Sequence, residues 1–307
     1  MSNNSNSTNI NNNSNSNNNN SNNNYNTNKK VRALVMYSGG LDSRLAVKIL
    51  EEQDIEVVPI LFELPISCID NNLPFHNNPK IIDCTKGKFF NEFMEIIRHP
   101  KHGRGTAMNP CVDCKIFMIK RAKEMMKELD CQILATGEVI GERPKSQHRP
   151  SLDLIQKETG IEILRPLCAK ELPQTLYEKN GLVDRNKLHS ITGRRRLPQF
   201  KLAKEYKIQY PLPGGGCALC EKKFGAKMMH VLNTYNNVPP LLIKILKHNR
   251  LFYNNGYIII AKNAKQGDYL MEINKKLNFN LIHDGKGPDL LYENKKDIDL
   301  VNKLRTA

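Results

Sequence analysis

The chain has 307 residues and a formal net charge of +15. A chain of this length is larger than one hydrophobic core usually serves, so we expect a main domain and a smaller one. No stretch of about 18 consecutive apolar residues occurs, which argues against a membrane-spanning helix.

Residues 1–30 are almost wholly Asn, Ser and Thr. They offer too little apolar surface to offset the entropy of ordering, so we predict a disordered tail. The tail contains neither the apolar core of a secretory signal nor the Arg-rich amphipathic pattern of a transit peptide. We therefore expect a soluble, cytoplasmic protein that does not bind a membrane.

Basic residues cluster in the segment GRRRLPQFKLAKEYK, from Gly193 to Lys207. Such a cluster favours a polyanionic partner, because each phosphate neutralised by Lys or Arg releases counterions. Arg194, Arg195 and Arg196 are our candidates for gripping an RNA backbone. The alternative is a solvated basic face that serves solubility alone.

From Val31 to about Pro166, short apolar runs alternate with helical patterns, which is typical of stacked βαβ units and a parallel sheet. The fold class predicted is a doubly wound α/β domain. The predicted strands are Arg32–Tyr37, Glu56–Phe62, Lys80–Asp83, Gln132–Ala135 and Glu162–Leu164. The predicted helices are Ser43–Gln53, Lys88–Arg98, Pro110–Glu128 and Leu152–Glu158.

The composition of the chain changes after Lys170 and again after Glu221. From Lys170 to Gly216 the sequence is basic and rich in Pro and Gly, so we expect loops and short helices over the functional edge of the sheet. After Glu221, MMHVLN, PPLLIKILKH and LMEINKKL are helical patterns, and RLFYNNGYIII predicts a hairpin with an Asn-Gly turn. The predicted organisation is a tail at 1–30, an α/β domain at 31–224 and a small α+β domain at 225–307.

The segment SGGLDS lies between the first predicted strand and the first predicted helix. A glycine-rich turn at this point exposes backbone N–H groups at a helix N-terminus, where the helix dipole favours negative charge. Gly39 and Gly40 let the backbone approach phosphate oxygens, Ser38 and Ser43 can donate hydroxyls, and Asp42 can hold the loop or face a metal. The alternative is an ordinary glycine turn with a polar cap.

SGGLDS after a first strand resembles the PP-loop of the ATP pyrophosphatase (adenine nucleotide alpha hydrolase-like) superfamily. Its members include GMP synthetase, asparagine synthetase, 7-cyano-7-deazaguanine synthase and the tRNA thiouridine synthases. The resemblance implies that the loop binds the pyrophosphate part of ATP, with Mg²⁺, while a substrate oxygen attacks the α-phosphate. It also implies that Leu61 to Glu63 approach the adenine. The loop residues that would bind ATP are Ser38, Gly39, Gly40, Leu41, Asp42 and Ser43.

Downstream, NPCVDCKIFMIKRAKEMMKELDCQILATGEVIGERPKSQ resembles the 2-thiouridylase and 4-thiouridine synthase branches of this superfamily. In those branches a helix that begins with cysteine is followed by a strand that ends in Ala-Thr-Gly, often with His next. Here Glu138 stands in that place, which leaves the subfamily open. Thr136 and Gly137 would lie at the ligand-binding edge of the sheet, or would simply form a tight turn. Arg143, Lys145 and Lys170 are candidate contacts for phosphate or RNA, or solvated loop charges.

Eight cysteines are present, and four of them form two Cys-x-x-Cys pairs, Cys111/Cys114 and Cys217/Cys220. We predict Asn109 as the helix N-cap and Pro110 as the first helical residue, which would place the first pair at a helix start and lower its thiol pKa. Without a secretory signal the thiols should be reduced. The remaining cysteines, Cys68, Cys84, Cys131 and Cys168, are isolated and are predicted to fill the core.

Three uses of the four paired cysteines remain open. They could close a structural Zn²⁺ site. They could bind a 4Fe-4S cluster, as the resemblance to cluster-dependent thiouridine synthases implies, best with three ligands and one cysteine spared. They could instead carry a persulfide with a resolving partner, as in cluster-free thiouridylases.

The hypothesis from the sequence is ATP-dependent tRNA thiolation. A uridine carbonyl oxygen of tRNA would attack the α-phosphate of ATP, and sulfur from a persulfide carrier or sulfide would displace AMP. The side chains assigned to catalysis are Asp42, Cys114 and Cys217. A homodimer is one option for the assembly.

Two other hypotheses fit the same residues. One is a PP-loop synthase of the deazaguanine type, which would adenylate a small molecule and use its cysteines for structural zinc. The other is a non-catalytic RNA-binding protein with a vestigial PP-loop. The sequence leaves open which uridine position would be modified and whether C2 or C4 would receive sulfur.

Overall fold

The computed structural model describes residues 30–67, 78–211, 217–246 and 250–306. The predicted disordered tail, apart from Lys30, lies outside these residues, as do Cys68 and the three glycines before Cys217. Residues 31–307 form one compact unit, and the predicted division at residue 224 within it stays a prediction. No described helix is long and apolar enough to cross a membrane.

The first sheet contains four parallel strands in the order β3-β2-β1-β4. This order reverses direction at β1, so the switch point of the doubly wound sheet lies between β1 and β4, as the predicted fold class requires. The strands are β1 Arg32–Met36, β2 Glu56–Glu63, β3 Lys80–Asp83 and β4 Ile133–Thr136.

The fifth predicted strand, Glu162–Leu164, is wrong as a strand. Leu164 forms a single parallel bridge with Ala135, in which the Leu164 amide donates to Leu134 O at 2.9 Å and Leu164 O accepts from the Thr136 amide at 2.9 Å. Pro166 follows two residues later, and proline has no N–H with which to continue the ladder.

Four helices flank this sheet: α1 Leu41–Glu51, α2 Gly87–Arg98, α3 Cys111–Glu128 and α4 Arg149–Thr159. They pack on both faces, because alternate strand residues point to opposite sides. Val35 belongs to a buried cluster with Leu45 of α1, whereas Leu34 belongs to another with Phe93 of α2 and Ile119 of α3. The alternation of apolar side chains therefore produces a three-layer sandwich.

Two further helices lie between Lys170 and Gly216, namely α5 Leu176–Lys179 and α6 Leu197–Glu205. The expectation of loops and short helices is confirmed here. Pro198 lies in the first turn of α6, where its missing N–H costs no helical hydrogen bond. Ala203 buries α6 in the same cluster as Leu45 and Val47 of α1, which places the basic segment beside α1.

The C-terminal region is α+β, as predicted, with an antiparallel sheet in the order β5-β6-β8-β7. The predicted hairpin is confirmed, with Asn254, Asn255 and Gly256 at its turn. Strands β7 and β8 and helix α10 were not predicted from the sequence. The elements are α7 Lys222–Thr234, α8 Pro240–Leu246, β5 Arg250–Tyr253, β6 Tyr257–Ile260, α9 Ala264–Leu277, β7 Asn280–Ile282, β8 Leu290–Tyr292 and α10 Ile298–Thr306.

The two sheets share one buried apolar cluster, which contains Leu34 of β1, Tyr257 of β6 and Leu291 of β8. The Arg98 guanidinium also donates to the backbone oxygen of Tyr235 at 2.9 Å. The C-terminal elements therefore pack directly on the α/β layers.

Gly137, directly after β4, touches the start of α1. A Cβ atom at this position would lie 2.6 Å from the backbone of Asp42 and from the amide nitrogen of Ser43. Neither neighbour is a side chain that could rotate away, so only glycine allows the end of β4 to approach α1 this closely.

We expect Gly137→Ala to lower the free energy of unfolding by about 1–3 kcal/mol, because the added methyl group forces a backbone shift. Urea denaturation measures the change. The matched control is Gly287→Ala, where an added Cβ meets no atom closer than 3.6 Å and should change stability by less than about 0.5 kcal/mol. Equal stability of the Gly137→Ala and wild-type proteins would contradict the close approach.

Candidate functional site

The SGGLDS turn lies between β1 and α1, as predicted, although α1 begins at Leu41 rather than Ser43. Gly39 has φ 77°, a left-handed conformation that glycine adopts without strain. The Ser43 hydroxyl donates to Gly40 O at 2.9 Å and lies 3.3 Å from the Ser38 hydroxyl. Both hydroxyls therefore lie together at the first turn of α1.

Arg44 is a part of this turn that the sequence analysis missed. Its guanidinium is buried and donates from Nε to Gly39 O at 2.7 Å. It also lies 5.9 Å from the centre of the Tyr37 ring. This charged hydrogen bond to the Gly39 carbonyl oxygen stabilises the conformation of the turn. An arginine directly after the motif was the available signal.

Thr136 and Gly137 lie against this turn, because Met36 of β1 pairs with Thr136 of β4. Thr136 is fully buried, and its hydroxyl donates to Glu138 Oε2 at 3.2 Å. The structure thus brings together the two groups of residues that the sequence assigned to nucleotide binding.

Asp42 faces a pair of residues that the sequence analysis did not connect with it. Its Oδ2 lies 3.7 Å from the Arg196 guanidinium, which also forms an ion pair with Glu142 Oε1. Glu142 Oε2 accepts a hydrogen bond from Gln199 of α6 at 3.4 Å. Arg196, which we expected to grip RNA, therefore points inward, whereas Arg194 and Arg195 are exposed.

The pKa of Asp42 is raised to about 6, first by burial of the carboxyl and second by the nearby Glu142, while Arg196 opposes the rise. Its Oδ1 is buried and has no hydrogen-bond partner among the described residues. One or two carboxylates, together with water and phosphate oxygens, are the usual ligands of Mg²⁺ in proteins. Asp42 and Glu142 are carboxylates of this kind, and Asp42 Oδ1 is open to a further partner.

Glu138, the residue that replaces the His of related branches, is buried between two cations. Its Oε1 lies 3.4 Å from Lys115 Nζ, and its Oε2 accepts from Arg165 Nε at 3.1 Å. Burial alone would raise the pKa of Glu138, but Lys115 and Arg165 outweigh it and hold the pKa below its usual value. Glu138 is therefore an anion that links β4 to α3.

The two Cys-x-x-Cys pairs lie close enough to interact. The loop before α3 holds the second pair in place, since the Met108 amide donates to Leu219 O at 3.0 Å. Cys114 interacts electrostatically with Cys217 and Cys111, and Cys220 interacts electrostatically with Cys111. Cys217 is exposed, whereas the other three thiols are partly buried.

The predicted depression of thiol pKa at the helix start is wrong for Cys114. Burial raises the pKa of this thiol to about 12, and only Lys115 lowers it. Burial also raises the pKa of Cys220. The predicted cap is wrong as well, because Pro110 is the N-cap and α3 begins at Cys111. The Asn109 side chain donates instead to Cys111 Sγ at 3.2 Å.

The described residues contain no group of three or more His, Cys, Asp or Glu side chains arranged to hold a metal ion. The four paired cysteines therefore lie near one another without the geometry of a Zn²⁺ or 4Fe-4S site. The isolated cysteines that the structure describes, Cys84, Cys131 and Cys168, are buried in the core, as predicted.

The other basic candidates take different positions. Arg143 is exposed and interacts electrostatically with Cys220, and the Lys170 ammonium donates to Asn186 O at 2.9 Å. Lys145 is partly buried. The assignment of Leu61 to Glu63 to the adenine stays a prediction, with these residues at the end of β2.

One known protein family matches the part of the chain that contains the SGGLDS turn. A family model described as "Thiamine biosynthesis protein (ThiI)" matches residues 27–174. This segment contains the SGGLDS turn, Cys111/Cys114 and Thr136–Gly137, but not Cys217/Cys220. The match confirms the predicted resemblance to the PP-loop superfamily and its tRNA thiouridine synthase branch. No curated protein matches the chain.

Two solved structures are similar at low identity. A "predicted subunit of tRNA methyltransferase" from Methanocaldococcus jannaschii is 19% identical, with a TM-score of 0.29 over 44% of this chain and 67% of that chain. A 4-thiouridine synthetase–RNA complex with bound ATP is 16% identical, with a TM-score of 0.30 over 70% of this chain and 53% of that chain. This chain thus spans about half the length of that synthetase.

The buried charge of Asp42 should make stability depend on pH. Its pKa is about 6 when folded and 3.8 when exposed, so the folded state binds the proton more tightly. The free energy of unfolding should therefore fall as the pH rises through this range. We expect Asp42→Asn to be more stable than the wild type at pH 7, by on the order of 2 kcal/mol, and the advantage to vanish below pH 3.8.

Urea denaturation at several pH values measures this difference. The matched control is Asp153→Asn, because Asp153 is an exposed carboxylate paired with Arg149 on α4. An exposed pair of this kind contributes less than about 1 kcal/mol. A difference between Asp42→Asn and wild type that does not change with pH would contradict the burial of the Asp42 charge.

Proposed function

We propose that this protein is an ATP-dependent tRNA sulfurtransferase, which adenylates a uridine carbonyl oxygen and then replaces that oxygen with sulfur. The observation that carries the proposal is the contact of Gly137 with the start of α1. This contact lies beside the switch point of a parallel sheet, where open α/β sheets bind ligands, and it supports our assignment of the SGGLDS turn to phosphate. The family match to residues 27–174 supports the choice of substrate class.

In the first step, the backbone and hydroxyls of the turn from Ser38 to Ser43 bind the pyrophosphate part of ATP. The uridine carbonyl oxygen attacks the α-phosphorus, the bond between the α-phosphorus and the bridging oxygen breaks, and pyrophosphate leaves. Activation is needed because a pyrimidine carbonyl oxygen is a poor leaving group. Asp42 and Glu142 would hold Mg²⁺, which stabilises negative charge on pyrophosphate.

Arg196 has a defined part in this step. Its guanidinium forms ion pairs with the carboxylates of Asp42 and Glu142. A guanidinium can bind a phosphate oxygen through two parallel hydrogen bonds, so Arg196 would orient the phosphates of ATP beside Asp42. The exposed neighbours Arg194 and Arg195 remain the candidates for the RNA backbone.

Sulfur transfer in this proposal uses Cys217 as carrier and Cys114 as resolving thiol. Cys217 is exposed, so an external persulfide carrier can pass it a sulfur atom. The terminal sulfur of the Cys217 persulfide attacks the uridine carbon, and AMP leaves with the former carbonyl oxygen. The product is a mixed disulfide, in which Cys217 Sγ is bonded to the sulfur atom that is now attached to the base.

The Cys114 thiolate then attacks Cys217 Sγ, and the thiouridine leaves as a thiolate that takes up a proton. A Cys114–Cys217 disulfide forms, and a dithiol reductant returns both residues to thiols. Burial opposes the loss of the Cys114 proton, while Lys115 favours it. Since Lys115 is held by Glu138, the anion at the end of β4 positions the cation that this step requires.

Four single Cys→Ser variants test the proposal, with two measurements on each. ATP–pyrophosphate exchange that depends on tRNA reports adenylation, and thiouridine in digested tRNA reports sulfur transfer. We expect Cys114→Ser and Cys217→Ser to keep the exchange and to lose at least about 99% of thiouridine formation, because only a thiol can carry or resolve sulfur. Cys111→Ser and Cys220→Ser should retain both activities.

The matched control is Cys131→Ser, a buried cysteine at the other end of β4 from Glu138. Loss of thiouridine in all four paired-cysteine variants would instead indicate a four-thiolate metal site. Exchange stimulated by a small carboxylic acid and not by tRNA would replace the proposal by a small-molecule synthase. No exchange with either would leave an RNA-binding protein.

A further inference from the structure

A groove of about 570 Å³ opens in the C-terminal region, which the proposed chemistry does not use. We call it the tyrosine groove and define it by Tyr235, Tyr253, Asn255, Glu293, Asn294 and Lys295. Three segments form it: the end of α7, the β5–β6 hairpin and the residues after β8. Its volume lies in the range of small-molecule and nucleotide sites.

An exposed aromatic ring lies at the groove. Tyr253 is 46% exposed, yet its ring is braced by His230 at 4.6 Å and 74° and by Tyr257 at 5.1 Å and 67°. Tyr257 in turn stacks on Tyr235 at 5.5 Å and 13°. A ring that is held in place and still exposed loses little entropy when a flat ligand stacks on it.

The groove also presents a fixed carboxylate. Glu293 Oε1 accepts from the Tyr235 hydroxyl at 2.8 Å, and Oε2 accepts from the Tyr257 amide at 3.1 Å. Each carboxylate oxygen can accept a second hydrogen bond. The ring N–H groups of uracil and guanine are donors of the required kind, whereas an acidic peptide would be repelled.

The hairpin side of the groove is rigid as well. Buried Asp297 accepts at Oδ1 from the Asn255 amide at 3.2 Å and from Asn255 Nδ2 at 2.7 Å. It also accepts from Asn254 Nδ2 at 2.8 Å. The turn that carries Asn255 is therefore fixed next to Tyr253 without any ligand.

Charge favours a polyanion at this surface. Residues 225–307 contain thirteen Lys and Arg against seven Asp and Glu. Lys295 is exposed at the groove, where its ammonium can pair with a phosphate. The combination of a braced ring, a fixed acceptor and a rim cation matches one nucleotide of a single-stranded nucleic acid.

We infer that the tyrosine groove binds an unpaired nucleotide of the substrate RNA. The base stacks on Tyr253, its N–H edge faces Glu293, and its phosphate pairs with Lys295. The identity of that RNA as tRNA rests on the proposed function. The groove would thus hold the RNA at an element other than the PP-loop domain and contribute to the choice of substrate.

The test compares Tyr253→Ala with Phe252→Ala, its matched control. Phe252 is the neighbouring residue on β5, is 38% exposed and does not line the groove. Fluorescence anisotropy gives the affinity for tRNA and for a uridine oligomer of about eight nucleotides. We expect Tyr253→Ala to weaken binding of the oligomer at least about fivefold. Phe252→Ala should change it less than about twofold, and Tyr253→Phe should restore it.

Two further measurements separate stacking from general effects. The chain has no Trp and ten Tyr, so at saturating oligomer the quenching of tyrosine fluorescence should be smaller in Tyr253→Ala than in the wild type, Phe252→Ala or Lys295→Ala. Lys295→Ala should weaken binding and make it less dependent on salt. Circular dichroism checks that each variant is folded.

Wild-type affinity of a folded Tyr253→Ala protein, or equal loss in Phe252→Ala, would overturn the inference. The proposed function fails separately. If the wild type shows no tRNA-dependent adenylation but Tyr253→Ala still weakens oligomer binding, the nucleotide-binding groove is supported and the proposed function is contradicted. If adenylation is intact and Tyr253→Ala does not change oligomer binding, only the inference about the groove is contradicted.

Discussion

The whole site depends on one close backbone approach, that of Gly137 to the first turn of α1. Because an added Cβ would lie 2.6 Å from backbone atoms there, a glycine is required for β4 to end against the PP-loop. The same approach fixes Thr136 and, through its hydroxyl, Glu138. Glu138 then reaches α3 by way of Lys115, next to Cys114. The contact between the end of β4 and the first turn of α1 thereby links the position of the SGGLDS turn to that of the Cys114 thiol.

Much of this arrangement could be predicted from the sequence, because it depends on local chemistry. Four strands and four helices of the α/β layers follow from apolar periodicity, and the glycine turn between β1 and α1 follows from SGGLDS. The tertiary partners could not be predicted. Arg196 belongs to a basic segment whose composition favours a solvent-facing or RNA-facing role, yet burial beside Asp42 and Glu142 decides its direction.

Other misses have equally specific causes. Cys114 lies at a helix start, which favours the thiolate, but desolvation is the larger effect and raises its pKa to about 12. Strands β7 and β8 have three residues each, too few for an alternating pattern to stand out. Leu164 extends the sheet by one bridge only, because Pro166 cannot donate the next hydrogen bond.

The site also carries charge that a purely structural protein would avoid. Asp42 is buried with a raised pKa and an unpartnered oxygen, and Glu138 is buried between two cations. The charge of Asp42 costs stability, whereas the two cations beside Glu138 favour its charged form. Perturbed carboxyl groups of this kind cluster at functional sites. Compensation by Arg196, Lys115 and Arg165 keeps each carboxylate in place within the protein.

The central claim is that an oxygen of the RNA attacks the α-phosphorus of ATP. The most direct test uses tRNA whose uridine carbonyl carries ¹⁸O, incubated with the protein, ATP and a persulfide donor, followed by mass spectrometry of the products. The account predicts one ¹⁸O atom in AMP for each thiouridine formed, with unlabelled pyrophosphate. AMP without label, or ADP and phosphate in place of AMP and pyrophosphate, would contradict it.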